Sequence, residues 1–234
     1  MRRELKRTIY IYSDSTALPR DPAVRAEHTW PFKIGSEQDI VIVRGFGGAT
    51  SNDLVAMMKR DSPYFGFRGK GNINDIVILA VGVVDAAPRP ITYKLKIVTN
   101  IPVVGTHIWN LIGRLLHRYR PTIQKYLHYK LISFTRFRSN LVKMQRIIQN
   151  PELQILVIGT PIPSQYVLSR SPHFEENVKR LNTIKAEVCE RNSRMSYISL
   201  VFHQDMPYIS PEDGHHYSVQ GHLEVANRIR QEIH

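Results

Sequence analysis

Cysteine is almost absent: Cys189 stands alone among 234 residues. That excludes an internal disulfide framework and any multi-cysteine zinc site. No stretch approaches the roughly 20 consecutive apolar residues that a membrane-spanning helix needs. The start, Met-Arg-Arg-Glu-Leu-Lys-Arg, runs into a short β-like segment without the apolar run of a signal peptide, so a cytoplasmic chain is expected. Internal repeats and low-complexity tracts are missing too. Negative charge is scarce: 20 Asp and Glu stand against 32 Lys and Arg, a formal net charge of +12. Such an excess favours anionic partners, whether nucleic acid, acidic lipid or acidic glycan, without choosing among them. Nucleic acid is the weakest of these, because no recognised nucleic-acid motif accompanies the charge.

What is present suffices for a packed core. Hydrophobic residues make up 42% of the chain and charged residues 22%, which excludes wholesale disorder. The length allows one substantial domain over residues 1–234, with room for an insertion. Five short runs rich in Ile, Val or aromatic residues read as strands: Thr8–Tyr12, Asp39–Val43, Asp75–Val84, Leu153–Gly159 and Met195–Val201. Most are continuously apolar rather than alternating, which suits a parallel sheet covered on both faces. Helical patterns lie at Ser51–Arg60, where Ser51 is the expected cap, and at Phe137–Gln149, Glu175–Arg191 and Ser218–Ile233. Strands alternating with helices predict an open α/β sheet, whose function collects at the carboxyl ends of its strands.

The insertion, about 91–134, is basic and aromatic. Ile108, Leu111, Ile112, Leu115 and Leu116 recur at helical spacing beside Arg114, His117 and Arg118. Two readings stand: a core-facing helix with a solvated basic face, or a helix that meets a membrane surface or an anionic glycan through 105–130. Pro102, His107, Asn110 and Arg114 interrupt the segment too often for it to span a bilayer. The chain is therefore expected to be cytoplasmic, with membrane association confined to that surface, and the residues set no oligomeric state.

Four segments that could carry chemistry fall at strand ends or helix starts. Ser13-Asp14-Ser15 follows the first strand, where a serine is either an exposed nucleophile or simply a turn cap. Gly45-Phe46-Gly47-Gly48-Ala49-Thr50 follows the second; its glycines let backbone N–H groups approach a ligand, as an oxyanion hole or, less completely, as a dinucleotide loop. Asp85 ends the third, where it is either functional or a turn former. Asp213-Gly214-His215-His216 precedes the last helix. Asp213 and His216 are three apart, a spacing that lets a carboxylate orient an imidazole through one ring nitrogen and leave the other free to take a proton. Alternatives for this segment are two solvent-facing histidines, or a metal site using Asp213, His215, His216 and His222.

In this order the four segments resemble the blocks of the SGNH hydrolases, or GDSL-type esterases. Ser13-Asp14-Ser15 matches the Gly-Asp-Ser block, Gly48-Ala49-Thr50-Ser51 the glycine block, and Gly82-Val83-Val84-Asp85 the Gly-x-Asn-Asp block. Asp213-Gly214-His215-His216, followed by Ser218-x-x-Gly221-His222, matches the Asp-x-x-His block. The resemblance spans residues 8 to 233 apart from most of the insertion, and its Gly-Val-Val-Asp phrasing is similar to a branch associated with bacterial polysaccharide loci. It implies a three-layer, flavodoxin-like fold with a five-stranded parallel sheet flanked by helices. It also implies Ser15 as nucleophile, His216 as general base, Asp213 as its orienting acid, and the N–H groups of Ser15 and Gly48 as the oxyanion hole. Asp14 becomes a structural support, with Asp85 beside it; no metal and no cofactor is implied.

The activity implied is an esterase or deacylase acting on an O-acyl, specifically O-acetyl, carbohydrate. A carbohydrate O-acyltransferase using the same three residues is the variant, and a catalytically silent basic module binding anionic glycan or lipid is the alternative. Two departures matter. Ser13 replaces the first glycine, and Val84 replaces the asparagine whose side chain donates to the developing oxyanion. Losing one such donor costs about 10²–10³ in rate; Asn52 and Arg89 are the candidates to replace it. If the donor is missing, Val84→Asn should raise turnover of an activated ester by at least tenfold. Unchanged or lower turnover by the folded variant would mean that another group already fills the place or that the pocket does not accept Asn.

Overall fold

A computed structural model describes residues 7–67, 74–89, 122, 129–171, 173–200 and 207–233. Five strands form one parallel sheet: β1 (Thr8–Ser13), β2 (Ile40–Gly45), β3 (Ile76–Ala80), β4 (Gln154–Ile158) and β5 (Met195–Ile198). Their spatial order is β2-β1-β3-β4-β5, the flavodoxin-like order. The described helices are α1 (Trp30–Ile34), α2 (Ser51–Asp61), α3 (Val83–Ala86), α4 (Phe134–Ile147), α5 (Gln165–Arg170), α6 (Phe174–Glu190) and α7 (Val219–Ile233). Most of the basic insertion, including its apolar stripe and the proposed contact surface at 105–130, lies outside the described residues.

Alternation along the strands explains why the runs are apolar throughout. Tyr10 and Tyr12 of β1, Val77 and Leu79 of β3, and Ile155 and Val157 of β4 point to one face. There they meet Leu54 and Met58 of α2, Phe137 and Leu141 of α4, and Val178 and Leu181 of α6. Ile9, Ile11, Ile78 and Leu156 point to the other face, against Trp30 and Ile34 of α1 and Val225 and Ile229 of α7. Both pleats are thus buried, and the three layers follow.

β2 is the exception. It lies at the sheet's edge and is half-exposed along its length, with Ile40 at 47%. It is tied inward by charge instead. Arg44 donates twice to the buried Asp61 of α2, both at 2.8 Å, and the Tyr12 hydroxyl donates to the same carboxylate at 3.2 Å. Arg44 holds the Asp61 carboxyl below its ordinary pKa.

The structure corrects three boundaries. The third run ends as a strand at Ala80, because Gly82 turns the chain at φ +140°, and Val83–Ala86 wind into α3. The cap of α2 is Thr50 rather than Ser51: Thr50 and Asp53 bond reciprocally, and Ser51 is freed for another partner. α4 begins at Phe134, three residues before the expected start, because Ser133 caps it by accepting from the Arg136 N–H.

A left-handed φ favours glycine, and a Cβ on Gly82 would also overlap the Thr160 hydroxyl. Gly82→Ala should therefore cost at least about 1–3 kcal/mol for the backbone alone. Urea unfolding measures it, and a loss below about 0.5 kcal/mol, the range of an ordinary surface change, would refute the strained turn.

Candidate active site

In this strand order the chain leaves β1 for one side of the sheet and returns through β3 on the other. The crevice between their carboxyl ends is where open α/β sheets bind ligands. Ser15 sits there, on a 3-10 turn, Ser15–Ala17, directly after β1. Asp14, fully buried, fixes that turn. Its Oδ1 accepts from the Thr16 N–H at 3.0 Å and the Thr16 hydroxyl at 2.8 Å. Its Oδ2 accepts from the Gly82 and Val83 N–H groups at 3.2 and 3.3 Å, and its own N–H donates to the Ala80 carbonyl at 3.1 Å. The carboxylate thereby welds the end of β1 to the end of β3.

The other half of the site comes from the turn before α7. Asp213 Oδ1 accepts from the N–H groups of His215 and His216, both at 3.0 Å, which curls the turn around its own carboxylate. Its Oδ2 then lies 2.5 Å from His216 Nδ1. Gly214 closes the turn at φ +71°, and its carbonyl accepts from the Ser164 N–H at 2.7 Å, docking the turn on the loop after β4. His216 Nε2 reaches Ser15 Oγ at 2.8 Å, across 201 positions of sequence.

Hydroxyl, imidazole and carboxylate therefore stand in one hydrogen-bonded line. Burial acts to raise the pKa of Asp213, but the His216 ring, the two backbone N–H groups and the nearby His215 outweigh it. The carboxyl is held well below its ordinary value. An ionised acid on Nδ1 fixes the tautomer in which Nε2 accepts a proton from Ser15.

Two backbone donors remain open. Among the described residues, the N–H groups of Ser15 and Gly48 donate to nothing else. Gly48 has φ +84° in the exposed loop after β2. The N–H groups of Gly82 and Val83 are occupied by Asp14. Val84 is buried, 6% exposed, and its side chain has nothing to donate.

Asp85 is no catalytic partner: it accepts from the Ser51 N–H at 3.1 and 3.2 Å and from the Ser51 hydroxyl at 2.7 Å, anchoring the start of α2. Asn140 extends this network by donating to the Ser51 hydroxyl at 2.9 Å and to Asn52 Oδ1 at 3.0 Å. Arg136 donates to the same Asn52 oxygen at 3.0 Å, so Asn52 is engaged by α4. The Arg89 N–H donates to the Tyr129 carbonyl at 2.8 Å.

Asp213, His215 and His216 have ligand atoms within 4.8 Å of one another, the spacing of a metal cluster. A cation there would have to displace the bonds that His216 makes to Asp213 and Ser15, so the residues fit a proton relay better than a metal. His222, the fourth residue of the metal reading, is elsewhere. It is buried, its Nδ1 accepts from the Trp30 N–H at 3.2 Å, and its ring meets Tyr217 edge-on at 5.4 Å. The dinucleotide reading also fails, since the glycine loop follows the edge strand rather than the switch-point strand.

No family model matches the sequence, and no curated protein is similar to it in sequence. Solved structures are similar in fold. The lipase/acylhydrolase from Enterococcus faecalis is 18% identical, with a TM-score of 0.63 over 97% of this chain and 95% of that one. A carbohydrate acetylesterase from Sinorhizobium meliloti is 12% identical, with a TM-score of 0.57 over 97% and 98%. The aryl esterase of M. smegmatis is 12% identical, with a TM-score of 0.56 over 97% and 99%. At these identities the likeness is one of fold.

Sequence reasoning missed Thr16, Ser51, Asn140, Thr160 and Lys185. Only Lys185 left a signal, a lysine placed among Val178, Leu181 and Val188 on the apolar stripe of α6.

Asp85 and His222 titrate against each other. Burial lifts the Asp85 pKa to about 6, above the ~3.9 of an unfolded aspartate, so stability rises as pH falls from about 6 to 4. Burial, then the charge of His216, lowers His222 to about 4, below the ~6.5 of an unfolded histidine. There the unfolded chain takes the proton first, and stability falls as pH drops from about 6.5 to 4. Each effect is about 3 kcal/mol, so the two nearly cancel. Asp85→Asn should expose a loss of stability on acidification from pH 6.5 to 4.5, and His222→Asn a gain. Parallel urea midpoints for the two variants would show that neither group titrates this way.

Proposed function

We propose that the chain is a serine ester hydrolase of the SGNH type, acting on O-acyl, specifically O-acetyl, carbohydrate. The observation that carries this reading is the continuous line from Ser15 Oγ through His216 to Asp213, at 2.8 and 2.5 Å. The fold shared with a carbohydrate acetylesterase and other ester-cleaving enzymes supports it, as do the block residues matched in order along the chain.

In the first step Ser15 Oγ attacks the acyl carbonyl carbon while His216 Nε2 takes the hydroxyl proton. Asp213 keeps the resulting imidazolium oriented and stabilised. The negative charge gathered on the carbonyl oxygen is met by the N–H groups of Ser15 and Gly48. As the tetrahedral species collapses, the bond from carbon to the sugar oxygen breaks and His216 returns the proton to that oxygen. Water, deprotonated by the same imidazole, then releases the acid and frees Ser15. If a sugar hydroxyl takes the place of water, the same residues transfer the acyl group instead.

With Val84 supplying no third donor, the reading implies a slower enzyme than one with the full donor set. A silent binding module would not require Ser15 and His216 to remain in contact. The test is labelling with a fluorophosphonate serine probe together with turnover of p-nitrophenyl acetate. Labelling should occur in the wild type and disappear in Ser15→Ala and His216→Ala. Turnover should fall by about 10⁴ in Asp213→Asn, which leaves the wrong tautomer. A folded wild type that is neither labelled nor active would remove the esterase reading.

A further inference from the structure

Lys185 is the only fully buried lysine or arginine among the described residues, at 0% exposure. A methionine would fill such a place without the cost of burying an amine. Its Nζ donates to the Ile158 carbonyl and to the Thr160 hydroxyl, both at 2.7 Å, at the carboxyl end of β4. The Thr160 hydroxyl reaches the Val81 carbonyl at 3.5 Å, and a Cβ on Gly82 would lie 3.3 Å from Nζ. The ammonium is therefore packed against the backbone of Gly82, whose N–H, with that of Val83, holds Asp14. Asp14 in turn fixes Thr16, next to Ser15.

We propose that Lys185 is a positioning residue for Ser15. Its positive charge, set behind the β1–β3 junction, keeps Asp14 and its Gly82, Val83 and Thr16 donors in the arrangement that presents Ser15 to His216. The groups whose fields act on it are Asp14, Asp85 and Cys189. Among the described residues no hydrogen bond or ion pair joins the amine to either carboxylate, so the influence is one of charge and of backbone placement.

Charge and contact separate cleanly here. A neutral amine keeps two N–H groups, enough for the Ile158 carbonyl and the Thr160 hydroxyl, so deprotonation removes only the charge. Burial lowers the pKa of Lys185 to about 7, against the pull of Asp14 and Asp85. The charge is thus present below neutrality and lost above it. Asp85, at about 6, titrates on the acid side.

The proposal rests on the serine-hydrolase reading, and its test has one arm that does not. The rate of fluorophosphonate labelling should decline above neutral pH as Lys185 loses its proton. Lys185→Met should label at least tenfold more slowly at pH 6.5 and lose the alkaline decline. Lys185→Gln, which retains a donor without charge, should match it. Wild-type rate and profile in either folded variant would overturn the proposal, as would a uniform loss with the decline intact.

If neither variant folds, the wild type decides. The 13Cε signal of Lys185 should titrate with the same midpoint as the alkaline decline, and a difference beyond one pH unit refutes the link. If the wild type is never labelled, the hydrolase reading fails separately. The amide signals of Gly82 and Val83 should still shift with the Lys185 titration, and their indifference would overturn the positioning role itself.

Discussion

The site depends first on the Asp14 carboxylate. A parallel sheet leaves its strand ends unconnected to one another, because each strand is followed by a crossover rather than a hairpin. Asp14 joins two of those ends with four accepted hydrogen bonds, from Thr16 on one side and from Gly82 and Val83 on the other. With the β1 and β3 ends fixed relative to each other, Ser15 has a defined place. A second, independent carboxylate-centred turn at Asp213 then delivers His216 to it. Both turns use the same economy, an acid satisfied largely by backbone N–H groups, and both free a side chain for other work.

Around this centre buried polar side chains brace the ends of the elements. Asp85 braces the start of α2 through Ser51, Asn140 carries that brace to α4, and Thr160 with Lys185 supports the end of β4. Charged residues in a core lower stability unless their bonds are met. Here they cluster behind the strand ends, whereas the middles of β3 and β4 are packed with Ile, Val and Leu. The sheet supplies cohesion and the polar cluster supplies position.

Much of this was legible in the sequence. Five strands and the four long helices were readable from apolar runs and spacing, since both pleats of the sheet are covered and the helices carry plain apolar stripes. Asp213 and His216 were readable because their relation is local, set within one turn. Ser15 was readable from its block. The misreadings share a cause: they concern partners chosen in space. Ser51 looks like a cap until Asp85 arrives from a different strand end to claim its hydroxyl. His222 looks like a ligand beside His216, yet one helical turn carries it to the buried Trp30 N–H. Edge exposure of β2 was hidden for the same reason, because strand order is not written in any single run.

The contact between Ser15 and His216 has a temporal side. Its two residues lie 201 positions apart in the sequence. Until the turn before α7 is in place, the Ser15 hydroxyl lacks its imidazole partner. Folding of the sheet alone does not change this. Any form of the chain that lacks the turn holding Asp213 and His216 therefore keeps the Ser15 turn but not the contact that crosses to it.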